Sequence, residues 1–116
     1  MITASAPISK DVLNFLRCAF CCTIYEAYGL TETSGPTTVT HETDGKAGHV
    51  GGPLVNQELK VQDIPEMNYF SSNDLPQGEL CVKGINVFKG YYKEPEKTKE
   101  AMDKDGWFHT GDVAEI

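Results

Sequence analysis

The opening stretch constrains the fold more than any other part of this chain. Val12, Phe15, Leu16, Ala19 and Phe20 recur at the i, i+3, i+4, i+7, i+8 spacing of one helical face. Ser9 stands just before them, and its hydroxyl can accept from a free backbone N–H, so the spacing predicts a helix from about Ser9 to Phe20. Met1 to Ala6 reads as the tail of a strand ended by Pro7, and Thr23-Ile24-Tyr25 as the start of the next strand. Strand, helix, strand over so few residues is a βαβ pattern, which requires parallel strands and a right-handed crossover. In such sheets ligands sit beyond the carboxyl ends of the strands. The residues where the second strand runs out, Tyr28-Gly29-Leu30-Thr31-Glu32, therefore fall where a ligand is expected.

Their chemistry suits a nucleotide. Tyr28 offers a flat face to a base, and Gly29 allows backbone to approach closely. Thr31 can donate its hydroxyl to a phosphate oxygen, and Glu32 can hold a hard cation such as Mg²⁺. A second reading stays open here, in which Thr31 and Glu32 simply cap a turn or helix.

The rest of the chain changes character. Thr33 to Gly52 reads as loop with one short strand near Thr37–Thr40, and Gly45, Gly48, Gly51 and Gly52 make bends. His41 and His49 read as structural or solvent-facing. Leu59 and Val61 alternate with polar neighbours, as do Leu80 and Val82, which predicts two half-buried antiparallel strands joined by the polar stretch 65–77. Val87 to Tyr92 reads as a strand or a bend around Gly90. Pro95 suits a first helical position, giving a short helix to about Met102. The expected class is α/β: a βαβ piece of a parallel sheet over residues 1–40, then an antiparallel β-barrel-like region over 41–116. Both ends cut into predicted strands, so the chain reads as a segment of a longer domain.

Asp105 to Asp112 is too particular for a generic loop. Asp105-Gly106 is a turn pair, and Trp107 and Phe108 are large rings that need a cavity. Thr110-Gly111-Asp112 offers a hydroxyl, a bare backbone and a carboxylate in sequence, which suits a polyhydroxyl or phosphate ligand. The Asp112 carboxylate can accept from two neighbouring ribose hydroxyls. The alternative is a β-turn with aromatic anchors and a solvated Asp112.

Composition excludes several classes. The net charge is −7 with Lys and Arg scattered, which argues against nucleic-acid binding and against plain electrostatic docking on anionic lipid. No run has the length of a membrane span and no signal-peptide pattern opens the chain. Cys18, Cys21, Cys22 and Cys81 lack a second ligand pair at zinc-site spacing, so they read as buried reduced thiols of a reducing compartment.

Taken together, the motifs resemble a family. Tyr28-Gly29-Leu30-Thr31-Glu32 resembles the Y-G-x-T-E motif of the adenylate-forming superfamily. Gly78-Glu79-Leu80-Cys81-Val82-Lys83-Gly84 with Lys89-Gly90-Tyr91-Tyr92 resembles its next block, and Trp107 to Asp112 its W-x-x-T-G-D block. Thr3-Ala4-Ser5-Ala6-Pro7, Ala47-Gly48-His49-Val50-Gly51, Glu66-Met67-Asn68-Tyr69 and Asp103-Lys104-Asp105-Gly106-Trp107 are similar to eukaryotic long-chain fatty acyl-CoA synthetases. The resemblance spans the whole chain, and the chain would be a partial AMP-binding domain, a minor part of such an enzyme.

The resemblance implies roles. Ser5 and Ala6 would border the adenine, where the family often has glycine, and Tyr28 would stack on it. Thr31 would bind the α-phosphate and Glu32 would ligate Mg²⁺, making these two the catalytic pair. Asp112 would hold both ribose hydroxyls, Gly29 and Gly111 would keep backbone near the nucleotide, and Trp107 and Phe108 would pack beneath the ribose loop. ATP and coenzyme A would be substrates with a long-chain fatty acid. The phosphate loop, the fatty-acid tunnel and the mobile C-terminal domain with its catalytic lysine would lie outside this sequence, so the chain alone is expected to be inactive. The intact enzyme would work on the cytoplasmic face of the endoplasmic reticulum, mitochondrial outer or peroxisomal membrane, attached through parts not in this chain; the fragment itself would be soluble. Ligases for other carboxylic acids and a non-catalytic nucleotide-binding module are the alternatives.

Overall fold

Helix α1 (Lys10–Phe20) begins where its cap predicts, with the Val12 N–H donating to Ser9 Oγ at 3.3 Å. It ends because Cys21 turns left-handed, at φ 47°, and returns its N–H to the Cys18 carbonyl. The helix joins strands β1 (Ile2–Thr3) and β2 (Tyr25–Leu30), which pair in parallel through Ile2–Tyr25 and Thr3–Glu26. The βαβ unit expected from the sequence is therefore present, in a computed structural model that describes residues 1–116. Strands β3 (Gly35–Val39) and β4 (Gly52–Pro53) extend the sheet antiparallel, in the order β1-β2-β3-β4, so it is mixed.

The predicted apolar stripe of α1 is not its buried side. Leu13 is fully buried and Leu16 half-buried, whereas Val12, Phe15, Ala19 and Phe20 are exposed. Apolar residues occupy more than one side of this helix, and periodicity alone could not choose between them. Arg17, a turn beyond Leu13, ties the helix to two loops: its guanidinium donates to the carbonyls of Ile24, Gly45 and Lys46 at 2.9–3.3 Å. The thiols also differ from expectation. Cys81 is buried, but Cys18, Cys21 and Cys22 are exposed, because they lie at and just past the open end of α1.

Residues 1–55 and 56–116 form two compact units. The second is built on an antiparallel sheet ordered β5-β6-β7, from β5 (Gln57–Gln62), β6 (Gln77–Gly84) and β7 (Phe108–Glu115). It is an open sheet, not a closed barrel. One face is apolar: Leu59, Val82 and Phe108 sit in one cross-strand row and Val61 and Leu80 in the next. Phe88 packs edge-on against both Phe108, at 5.5 Å, and Tyr91, at 4.8 Å. The segment from Val87 to Tyr92 is thus the bend of the two readings, not the strand. The short helix α2 (Pro95–Ala101) follows it, starting at the proline as expected.

Strand β7 begins five residues before the strand expected at Val113. Phe108 is 2% exposed and its burial against Val82 starts the pairing. Thr110, Gly111 and Asp112 then oppose Leu80 alone, so the polar, glycine-bearing triplet is a bulge inside a strand and not a loop ahead of one. No helix of the chain is long and apolar enough to cross a membrane.

Candidate functional site

In the first unit the predicted contact residues gather at one end of the parallel pair. β2 continues through Leu30, so Tyr28 and Gly29 are strand residues paired with Thr38 and Pro36, not residues beyond the strand. The short strand expected near Thr37–Thr40 is β3, but nothing in the sequence shows that it pairs with β2. A Cβ on Gly29 would lie 2.1 Å from the Gly35 carbonyl oxygen. That close approach of two strands gives the glycine a reason within the chain itself. β1 and β2 run in register, so Ser5 and Ala6, just past β1, emerge at the same end of the sheet as Tyr28. Ser5 holds φ 77°, the left-handed region where glycine is favoured, and both residues are exposed.

Thr31 to Thr33 forms a single 3-10 turn after β2. Its staple is Thr33, which is 1% exposed. The Thr33 hydroxyl accepts from the Leu30 N–H at 2.9 Å and reaches the Gly35 carbonyl at 2.8 Å. The Ser34 N–H closes the turn on the Thr31 carbonyl at 3.0 Å. With Thr33 turned in, Thr31 is exposed and Glu32 half-buried. The turn-capping reading and the ligand reading are therefore compatible: Thr33 does the closing, with Thr31 exposed and Glu32 half-buried beside it. Sequence reasoning missed Thr33, although its place three residues after the last strand residue is the spacing of a turn staple. As a cation donor set the turn fits Mg²⁺, since that ion is usually held by one or two carboxylates together with substrate phosphates, and Glu32 supplies one hard oxygen donor.

A shallow groove in the same unit, lined among others by Ile2, Tyr25, Val39, His41, Pro53 and Val55, includes none of the predicted contact residues. His41 and His49 make local loop bonds. His41 Nδ1 lies 2.9 Å from Thr43 Oγ1, and His49 Nε2 lies 3.0 Å from Asp44 Oδ2.

In the second unit Asp112 is exposed in the β7 bulge. The bulge is tied to β6 at Thr110 and Gly111. Thr110 Oγ1 donates to the Leu80 carbonyl at 2.8 Å and accepts from the Asp112 N–H at 3.1 Å. The Gly111 N–H, at φ 75°, donates to Glu79 Oε1 at 3.0 Å. Thr110 is thus engaged by the sheet, which corrects its reading as a ligand donor. The other carboxylate oxygen, Glu79 Oε2, lies 3.0 Å from His109 Nδ1, whose Nε2 faces Asp103 Oδ2 at 3.7 Å. Neither Glu79 nor His109 was singled out in the sequence; their shared face follows only from the cross-strand register.

Cys81 lies beside them, with its Sγ 3.6 Å from His109 Nδ1. Burial first, and the Glu79 charge second, push its thiol up to about 11. The donor atoms of Glu79, Cys81 and His109 lie within 4.8 Å of one another. The Glu79 oxygens already accept from Gly111 and meet His109, so in this structure the three side chains form a brace between β6 and β7.

Asp103 organises the turn before β7. Its Oδ1 accepts from the N–H groups of Trp107 and Asp105, each at 2.9 Å. Trp107 then lies over the polar face of the sheet, with Lys60 Nζ 4.5 Å and Lys83 Nζ 5.7 Å from its ring centre. The Trp107 N–H holds the Asp103 carboxyl below its ordinary value, helped by Asp105 and Lys60 and opposed by burial. A folded value below the unfolded 3.8 means the stabilisation is full above that value and is lost as pH falls through the folded one. Acid is therefore expected to release this turn, seen as a change in Trp107 emission below about pH 4. Asp103→Asn should flatten that acid limb; an identical limb in the variant would show that other groups cause it.

Comparison with known proteins follows the same lines. The sequence family described as AMP-binding enzyme matches residues 1–92. The chain is 55% identical to "Long-chain-fatty-acid--CoA ligase 5" of Mus musculus, over 97% of this chain and 16% of that protein. It is 51% identical to "Fatty acyl-CoA synthetase A" of Dictyostelium discoideum, over 97% of this chain and 17% of that one. It therefore spans about a sixth of the length of these curated relatives. Among solved structures, apo MatB from Rhodopseudomonas palustris superimposes with a TM-score of 0.84 at 37% identity, covering 100% of this chain and 23% of that one. The A domain of a carboxylic acid reductase from Segniliparus rugosus, in complex with AMP and a co-purified carboxylic acid, gives 0.79 at 37% identity over 99% of this chain and 17% of that one.

Proposed function

This chain belongs to the AMP-binding enzyme family, and on that premise we propose that it is a piece of an ATP-dependent long-chain fatty acid:CoA ligase. The observation that carries the reading is identity of about half, over nearly the whole chain, to proteins named as long-chain ligases. The parent reaction has two halves. A fatty carboxylate oxygen bonds to the α-phosphorus of ATP as pyrophosphate leaves, giving acyl-adenylate. The thiol sulfur of coenzyme A then bonds to the acyl carbon, AMP leaves, and the thiol proton is lost.

The first half brings an anion to an anion, so positioning and charge neutralisation dominate. Mg²⁺, when bound, would screen the phosphates. Glu32 would hold that ion, from a turn fixed by Thr33. The exposed Thr31 hydroxyl would donate to the α-phosphate, and Tyr28, with Ser5 and Ala6 at the same sheet end, would border the adenine. Asp112 would accept from the ribose hydroxyls; it contributes binding and register, not proton transfer. Within the parent, residues 1–40 would close the parallel α/β part and 41–116 would belong to the β-rich part. Membrane attachment would come from segments outside these residues, which by themselves would not turn over.

The test is product identification with the full-length parent protein, ATP, coenzyme A and a panel of acids. Mass spectrometry is expected to show a long-chain acyl-CoA with AMP and pyrophosphate. Thioester from acetate or aromatic acids alone would assign a different ligase, and ATP binding without AMP release would leave a nucleotide-binding module.

A further inference from the structure

We propose that Glu79 is the positioning residue for Asp112, and so sets how strongly the protein prefers a ribonucleotide; this rests on the reading above that Asp112 meets the ribose. The bulge creates the need. Three residues, Thr110 to Asp112, oppose the single residue Leu80, so the regular ladder cannot serve every backbone group between His109 and Val113. The Glu79 carboxylate replaces the missing partner by accepting from the Gly111 N–H at 3.0 Å. Gly111 needs its left-handed φ of 75° to aim that N–H, while a Cβ there would meet nothing within 4 Å. Its glycine is thus required by direction and not by space.

The carboxylate is itself held. Its second oxygen meets His109 Nδ1 at 3.0 Å, and the tautomer with hydrogen on Nδ1 donates to that oxygen. The far nitrogen of the same ring faces Asp103 at 3.7 Å, and Asp103 is fixed by the Trp107 and Asp105 N–H groups. The chain of contacts runs from the Asp103 turn through His109 and Glu79 to Gly111. On the other side, Asp112 N–H is fixed through the Thr110 hydroxyl to Leu80. The backbone on the N-terminal side of Asp112 is therefore anchored to β6 at two successive residues, while its side chain lies at an exposed position. A ribose-contacting carboxylate must accept from two hydroxyls at once, and a displacement of 1 Å is enough to lose one of them.

The experiment measures KM for ATP, 2′-deoxy-ATP and 3′-deoxy-ATP with the full-length parent protein. The wild type should discriminate against both deoxynucleotides. Glu79→Ala should raise KM for ATP about tenfold and leave the deoxynucleotide values nearly unchanged, so the ratio falls toward one with kcat little altered. Adding Glu79→Ala to Asp112→Asn should then cost nothing further, since both act on the same contact. Glu79→Gln, which keeps an acceptor of the same shape, should give an intermediate ratio, and it serves if the alanine variant does not fold. A Glu79 variant that raises all three KM values in parallel, or that keeps the wild-type ratio, overturns the positioning role. Discrimination that survives Asp112→Asn overturns the ribose reading itself, and the proposal falls with it.

Discussion

Glu32→Ala in the parent protein is expected to lower acid-dependent adenylate formation about 10²–10³-fold, equivalent to roughly 3–4 kcal/mol of transition-state stabilisation. The size follows from what the residue would do. Glu32 is the acidic residue of the Thr31–Thr33 turn, and the neutral hydroxyls beside it are weaker ligands for the cation that would screen the phosphates. The backbone of the turn is closed by Thr33, buried and bonded to Leu30 and Gly35, and circular dichroism of the variant checks that the fold is kept. A second readout separates metal binding from turnover. Calorimetric ATP affinity should improve on adding Mg²⁺ in the wild type, and that improvement should shrink in Glu32→Ala while affinity without Mg²⁺ stays the same. An unchanged Mg²⁺ effect would remove Glu32 from the metal.

Phe108→Ala is expected to cost about 3–5 kcal/mol of stability. Phe108 is 2% exposed, pairs across the sheet with Val82, which is fully buried, and stacks edge-on with Phe88. Deleting the ring leaves a cavity under the central strand that Leu80 and Val82 cannot fill without moving β6. Trp107 is the chain's one tryptophan and lies on the other face of this sheet, so its emission during urea unfolding reports the unit that holds Phe108. A midpoint within error of wild type would mean that the ring is not a core member. Loss of this packing should also disturb the bulge at Asp112, because β7 begins at Phe108.

The parts of this structure that were legible in the sequence are those set by local chemistry. Ser9 capped α1 because a hydroxyl three residues before a free N–H needs no tertiary help, and Pro95 opened α2 for a similar reason. Alternation placed Leu59, Val61, Leu80 and Val82 on one face of β5 and β6. The illegible parts depend on partners distant in sequence. The exposed stripe of α1 could not be told from its buried side, because both sides carry apolar residues and only tertiary contact chooses Leu13. β2 ran through Tyr28 and Gly29 because β3 lies against it; a short strand was legible near Thr37–Thr40, but not its antiparallel pairing with β2. The Thr110–Asp112 triplet read as a loop because a bulge and a turn use the same residues; only pairing with β6 distinguishes them. Glu79 and His109 were missed for the same reason, being neighbours across a register that no short window contains.

The candidate site could be read as residue types more than as geometry. Tyr28, Thr31, Glu32 and Asp112 follow from motif and chemistry, whereas the supports, Thr33 behind the first turn and Glu79 behind the bulge, emerged from hydrogen bonds. The central claim is that these segments serve acyl-adenylate formation on long-chain acids. Its most direct test is exchange of labelled pyrophosphate into ATP by the full-length parent protein, without coenzyme A. Exchange that depends on a long-chain fatty acid and on Mg²⁺, and that falls in Glu32→Ala, is the expected result. Exchange absent with every long-chain acid, or present without any acid, would contradict the account.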